Sequence, residues 1–144
     1  MSISIDLGLK SYTIEDAEGN EVGVIRFNPS DPGLLARWEE ASEQMRELTK
    51  EPVTDAAGIA ELDKRIKEQM DYAFGTPVSE VLFQSVSSLA MCANGKMVLE
   101  NVLSACEPII KDAMTGAAKA SAQRMRKYTE KYENTDAGLA PGQK

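Results

Sequence analysis

Residues 66–83 read IKEQMDYAFGTPVSEVLF, and the reading of the fold starts there. Ile66, Met70 and Phe74 recur at helical spacing and share one face. Gly75 suits a left-handed cap on that helix, because it has no Cβ to clash. Thr76 can cap the next helix and Pro77 can open it, since the first helical position needs no N–H. Val81, Leu82 and Phe83 bring the new helix back to apolar surface. Phe74 and Phe83 therefore flank a stiff corner whose two arms pack together. The corner is architectural and carries no catalytic pattern.

Working back from the corner, Ile59, Leu62, Ile66, Met70 and Phe74 form the apolar face of a helix over 56–74, capped by Thr54 or Asp55. Glu61, Asp63, Lys64, Arg65, Lys67 and Glu68 fall on its other faces and read as solvated. Pro52 separates it from an amphipathic helix over 32–49, whose stripe is Leu34, Leu35, Trp38, Ala41, Met45 and Leu48. Ser30 or Asp31 caps that helix and Pro32 lies in its first turn. The two helices read as an αα-hairpin. Before them, Ile3, Ile5 and Leu7 alternate with Ser2, Ser4 and Asp6, the pattern of a half-buried strand. Tyr12 and Ile14, then Val22 to Phe27, add further strands around an Asp16–Asn20 turn, with a bulge near Gly23 where the alternation changes parity. The expectation is a three-stranded antiparallel meander over 2–27. A sheet this small needs a helix or another subunit across its apolar side.

Beyond the corner, a short helix is expected over 77–93, broken at Asn94-Gly95. A further helix over 96–115 carries Val98, Val102, Cys106, Ile109, Ile110 and Ala113, and Pro108 must kink or restart it. Residues 117–133 form a basic helical extension with Lys119, Arg124, Arg126, Lys127 and Lys131, and 134–144 a flexible tail. The fold class is therefore α+β: a small N-terminal antiparallel β-meander followed by a mainly helical bundle, with 1–116 as a single domain.

The 144 residues carry 16 basic and 23 acidic side chains, a net charge of −7, which argues against coating nucleic acid. The positive charge gathers in the extension beside an acidic body, an arrangement suited to contact between chains. There is no histidine, so the commonest general base and metal ligand are missing. Cys92 and Cys106 show no CxxC spacing and read as reduced thiols of a cytoplasmic protein. Ser85, Ser87 and Ser88 have no histidine to activate them, and there is no phosphate-binding glycine loop. No signal peptide and no apolar run long enough to span a membrane is visible. No enzyme activity, cofactor or metal is expected.

FNPSDP at 27–32 leads into the Trp38 helix, and Asp71-Tyr72-Ala73-Phe74-Gly75-Thr76 continues through Ser79 to Leu82-Phe83 as DxxFGTxxSxxLF. Over roughly residues 3 to 115 this layout resembles the tail assembly chaperones of siphophages and prophages of Gram-positive bacteria. One departure is Gln84, where such proteins often carry glycine. The resemblance implies a protein of the host cytoplasm that binds the tape measure protein and keeps it soluble while the tail tube polymerises. It also implies self-association, expected here through the N-terminal sheet and the Trp38 helix, with Leu34, Leu35, Trp38, Phe74 and Phe83 as the contact residues. Seven methionines and amphipathic helices suit helix-in-groove contact. The alternatives are a minor virion protein, such as a head–tail connector or tail component, and a prophage-encoded regulatory binding protein.

Overall fold

A computed structural model describes residues 1–137, the side chains of Met114, 117–122 and 128–137 excepted. The fold is α+β. Strands β1 (Lys10–Glu15) and β2 (Glu21–Phe27) form an antiparallel hairpin. Helices α1 (Pro32–Leu48), α2 (Ala56–Phe74), α3 (Ser79–Phe83) and α4 (Val98–Ala137) follow.

The sheet has two strands, not the expected three. Residues 2–7 have the alternation of a strand but pair with nothing among the described residues, and Ile3, Ile5 and Leu7 are exposed. Alternation sets which side chains share a face; it cannot supply the neighbouring edge. The expected bulge is present. Ile14 pairs with Gly23 and Glu15 with Glu21, so Val22 has no partner, and the slip turns Ile25 and Phe27 into the core while Val24 faces out.

Asp31 and Asp55 cap α1 and α2, their carboxylates accepting from Gly33 N–H and Gly58 N–H at 2.8 Å each. Gly75 ends α2 at φ 72°, and its N–H donates to the Asp71 carbonyl at 2.8 Å. Phe27 joins sheet to helices. It stacks on Tyr12 at 4.6 Å between ring centroids and meets Phe74 edge-on at 5.0 Å, and Phe74 meets Trp38 at 5.8 Å. Arg37 reaches from α1 to donate to the Ala73 carbonyl at 3.2 Å, which ties the αα-hairpin at the corner.

The corner departs from expectation after Gly75. Thr76 does not cap the next helix. Helix α3 starts at Ser79, and Asp71 on α2 accepts both Ser79 N–H (2.7 Å) and its hydroxyl (2.9 Å). Nor does the helix reach residue 93. It stops at Gln84, whose φ of 54° is the left-handed region that favours glycine, and whose side chain donates back to the Val81 carbonyl. A second carboxylate holds the loop beyond. Asp63 accepts Ser88 N–H at 2.7 Å and its hydroxyl at 2.6 Å, and pairs with Lys67 at 2.9 Å. Lys67 also donates to the Val86 carbonyl at 3.1 Å and lies 5.6 Å from the Phe83 ring centroid. Asp63 and Lys67, expected to be solvated, are thus largely covered. Helical periodicity does not distinguish a polar residue facing water from one facing a loop. A tight turn at Asn94-Gly95, with Gly95 at φ 78°, then leads to α4 through a bridge between Met91 and Met97.

Helix α4 is longer than expected and runs on through Pro108 and through residues 134–137. Pro108 and Ser104 are both exposed, so the carbonyl that the missing N–H leaves without its helical donor lies on the solvent side of the helix. Residues 138–144, the rest of the expected flexible tail, lie outside the described residues. Leu99, Leu103, Cys106 and Ile110 pack into the core.

Two outcomes are expected. Gln84→Gly relieves the left-handed backbone and raises stability by about 1 kcal/mol, read by chemical denaturation. Burial works against the Asp63 charge, but hydrogen bonds from Ser88 and the Lys67 ammonium outweigh it and hold its carboxyl below the usual value. A carboxyl lowered in the folded state stabilises fully above its unfolded pKa, and that contribution is lost as pH falls through the folded one. The melting-temperature gap between the wild type and Asp63→Asn should therefore be widest at neutral pH and narrow towards about pH 3.

Candidate binding groove

An apolar groove of about 410 Å3 lies between the hairpin and α4. Its sheet wall is Tyr12, Ile14, Ile25 and Phe27; its helix wall is Val98, Val102, Cys106 and Ile109. Alternation on the bulged hairpin turns the four sheet residues to one side. On α4, the groove residues Val98, Val102 and Ile109 lie beside the core stripe of Leu99, Leu103 and Ile110. The apolar face of α4 is therefore wider than the core requires, and the surplus faces the groove. Ile109 is 39% exposed.

The groove follows one edge of the sheet. Four consecutive residues of β1, Tyr12 to Glu15, line it, but only Ile25 and Phe27 do so from β2. Side chains of consecutive strand residues point to opposite faces, so a cavity touching all four must run along the β1 margin. That margin is unpaired among the described residues. Leu82 and Cys92 complete the lining, held by the corner and by the loop that Asp63 clasps.

Polar groups in the lining are few: Thr13, Glu15, Asn101 and the Tyr12 phenol, besides two thiols. Burial pushes the Cys106 thiol up from 9.0 to about 11, so at neutral pH it is protonated and a poor nucleophile. The amides of Asn101 and Asn94 hydrogen-bond to each other at 2.8 Å. Among the described residues no group of three His, Cys, Asp or Glu side chains could hold a metal ion. No helix of the described residues is long and apolar enough to cross a membrane. The lining is suited to taking up apolar side chains and, along β1, backbone hydrogen bonds.

Of the residues expected to mediate self-association, Leu34, Trp38, Phe74 and Phe83 are core residues, and Leu35 is half-buried against them. Trp38 is 1% and Phe83 2% exposed, which leaves no area to offer a partner. The residues of the groove on α4 were visible as an apolar stripe, Val98, Val102, Cys106 and Ile109. The expected stripe merged with the core, because periodicity does not say where a core ends. Comparisons with protein-family models, curated proteins and solved structures found no match to this chain.

The two cysteines give a direct check on burial. In the native protein Cys92 should react with a thiol reagent at least tenfold faster than Cys106, and the two rates should converge on unfolding.

Proposed function

We propose that this chain is a tail assembly chaperone of a siphophage or prophage. It binds the tape measure protein in the host cytoplasm and keeps it soluble while the tail tube forms. The carrying observation is the apolar groove between the hairpin and α4, lined mostly by hydrocarbon side chains with four polar residues besides its thiols. A holding protein needs such a surface: it covers the apolar stripe of a long amphipathic helix and makes no covalent change. The net charge of −7 keeps chain and client dissolved.

The stretches that carry the family resemblance are structural here. In FNPSDP, Asn28 accepts Ser30 N–H at 2.9 Å and Asp31 caps α1. In DxxFGTxxSxxLF, Asp71 and Ser79 clasp the corner while Phe74 and Phe83 fill the core. They build the frame that sets hairpin against α4, which is how a motif without catalytic residues supports a binding role.

Co-expression with the long helical tape measure protein, followed by pull-down, tests the reading. The wild type should hold the client in the soluble fraction. Val102→Asp with Ile109→Asp should reduce recovery at least tenfold with an unchanged circular dichroism spectrum, since both positions are partly exposed. Equal recovery by this variant, or no capture by the wild type, would remove the reading.

A further inference from the structure

We infer that the β1 edge of each chain is completed by residues 2–6 of a second copy, lying in the groove as a third antiparallel strand. The inference rests on the groove being a docking surface and not on the identity of a client. The segment is built as a strand and lacks a neighbour. Ile3 and Ile5 are 88% and 71% exposed and alternate with Ser2, Ser4 and Asp6. The edge is built as an acceptor and also lacks one, and it borders an apolar cavity on the side to which Tyr12 and Ile14 point.

Pattern and length agree. With Ser4 opposite Thr13, Ile3 falls beside Ile14 and Ile5 beside Tyr12, which turns both isoleucines towards Val102 and Ile109. Ser2, Ser4 and Asp6 then share the polar outer face with Ser11 and Thr13. Five extended residues span roughly 17 Å. The helix wall from Val98 to Ile109 is also roughly 17 Å long at the α-helical rise.

The root of the segment directs it to another chain. The Leu7 carbonyl accepts from Asn28 Nδ2 at 2.9 Å, beyond the end of β2. Leu7 and Leu9 line a second depression with Leu34 and Phe74, which shares only Phe27 with the groove. Gly8, at φ 68°, sits so close to Asn28 that a Cβ there would lie 2.6 Å from Nδ2. Folding back onto its own β1 in this register would use residues 7–10 as the turn, whereas Leu7 is hydrogen-bonded to Asn28 and both Leu7 and Leu9 line the second depression. Docking on a second copy keeps these contacts, and each copy both donates a strand and offers an edge, the arrangement of a swapped assembly.

The test uses the full chain with Cys92→Ser as background. Protein carrying only Ser4→Cys is mixed with protein carrying only Thr13→Cys and oxidised mildly; a disulfide-linked mixed dimer is expected. Independently, Ile3→Asp with Ile5→Asp should weaken self-association at least tenfold by light scattering after size exclusion, with an unchanged circular dichroism spectrum. Absence of the mixed dimer, with a disulfide instead closing within single chains of a Ser4→Cys/Thr13→Cys double variant, would overturn the inference. So would a wild type that is monomeric at high concentration, or an aspartate variant that associates like the wild type. The two readings fail separately. A chain that exchanges strands but captures no tape measure protein loses only the chaperone role; a monomer that captures it loses only the exchange.

Discussion

Asp63 and Asp71 lie on one side of α2, about two helical turns apart, and each holds the backbone N–H and the hydroxyl of a serine from the chain that follows. Hydrogen bonds to a charged acceptor contribute about 1.5–3 kcal/mol each, more than a short helix contributes by its own propensity. Helix α3 has five residues and could not persist alone. It is held because Asp71 clasps its first residue and Phe83 at its end is buried. The loop beyond is held in the same way by Asp63, with Lys67 neutralising the carboxylate and reaching the Val86 carbonyl. The two clasps fix the chain between α2 and α4, the segment that brings Leu82 and Cys92 into the groove lining.

What these clasps position is an apolar surface larger than the core uses. Helix α4 presents two neighbouring stripes, one against α1 and α3 and one against the hairpin margin. The hairpin reaches the helices through β2, where Phe27 meets Phe74 and Gly23 packs against Val81 of α3. A two-stranded sheet packed at one side leaves its other margin open, and the groove is the space between that margin and α4. The proposed strand exchange and the proposed client binding would compete for this one surface, because the hairpin alone does not cover its own apolar side.

Much of the fold was legible because local signals were strong. Asp31 and Asp55 announced helix starts, Gly75 a helix end, and Trp38, Met45, Ile66 and Met70 an αα-hairpin interior; each depends on residues within a turn or two of one another. Where the structure departs from expectation, the cause is distance along the chain. Residues 2–7 have strand alternation without an edge, and Ser85 to Met91 were read as helix although Asp63 takes the Ser88 N–H for a turn. Asp63 read as solvated because its partner is distant in sequence. Leu34, Trp38, Phe74 and Phe83 are expected as contact residues, and in the structure they fill the chain's own core. The stripe of Val98, Val102 and Ile109 was legible as apolar, but not as a groove wall.

From its residues alone this chain determined its class, its helix ends, its bulged hairpin and its lack of histidine chemistry, because capping, glycine geometry, alternation and composition are local properties. Tertiary structure alone decided which carboxylates clasp which serines, which apolar stripe of α4 remains uncovered, and that the β1 margin borders it. Those are facts about pairs of residues far apart in the chain. Such pairs depend on how whole elements pack, and no periodicity within a single element contains that information.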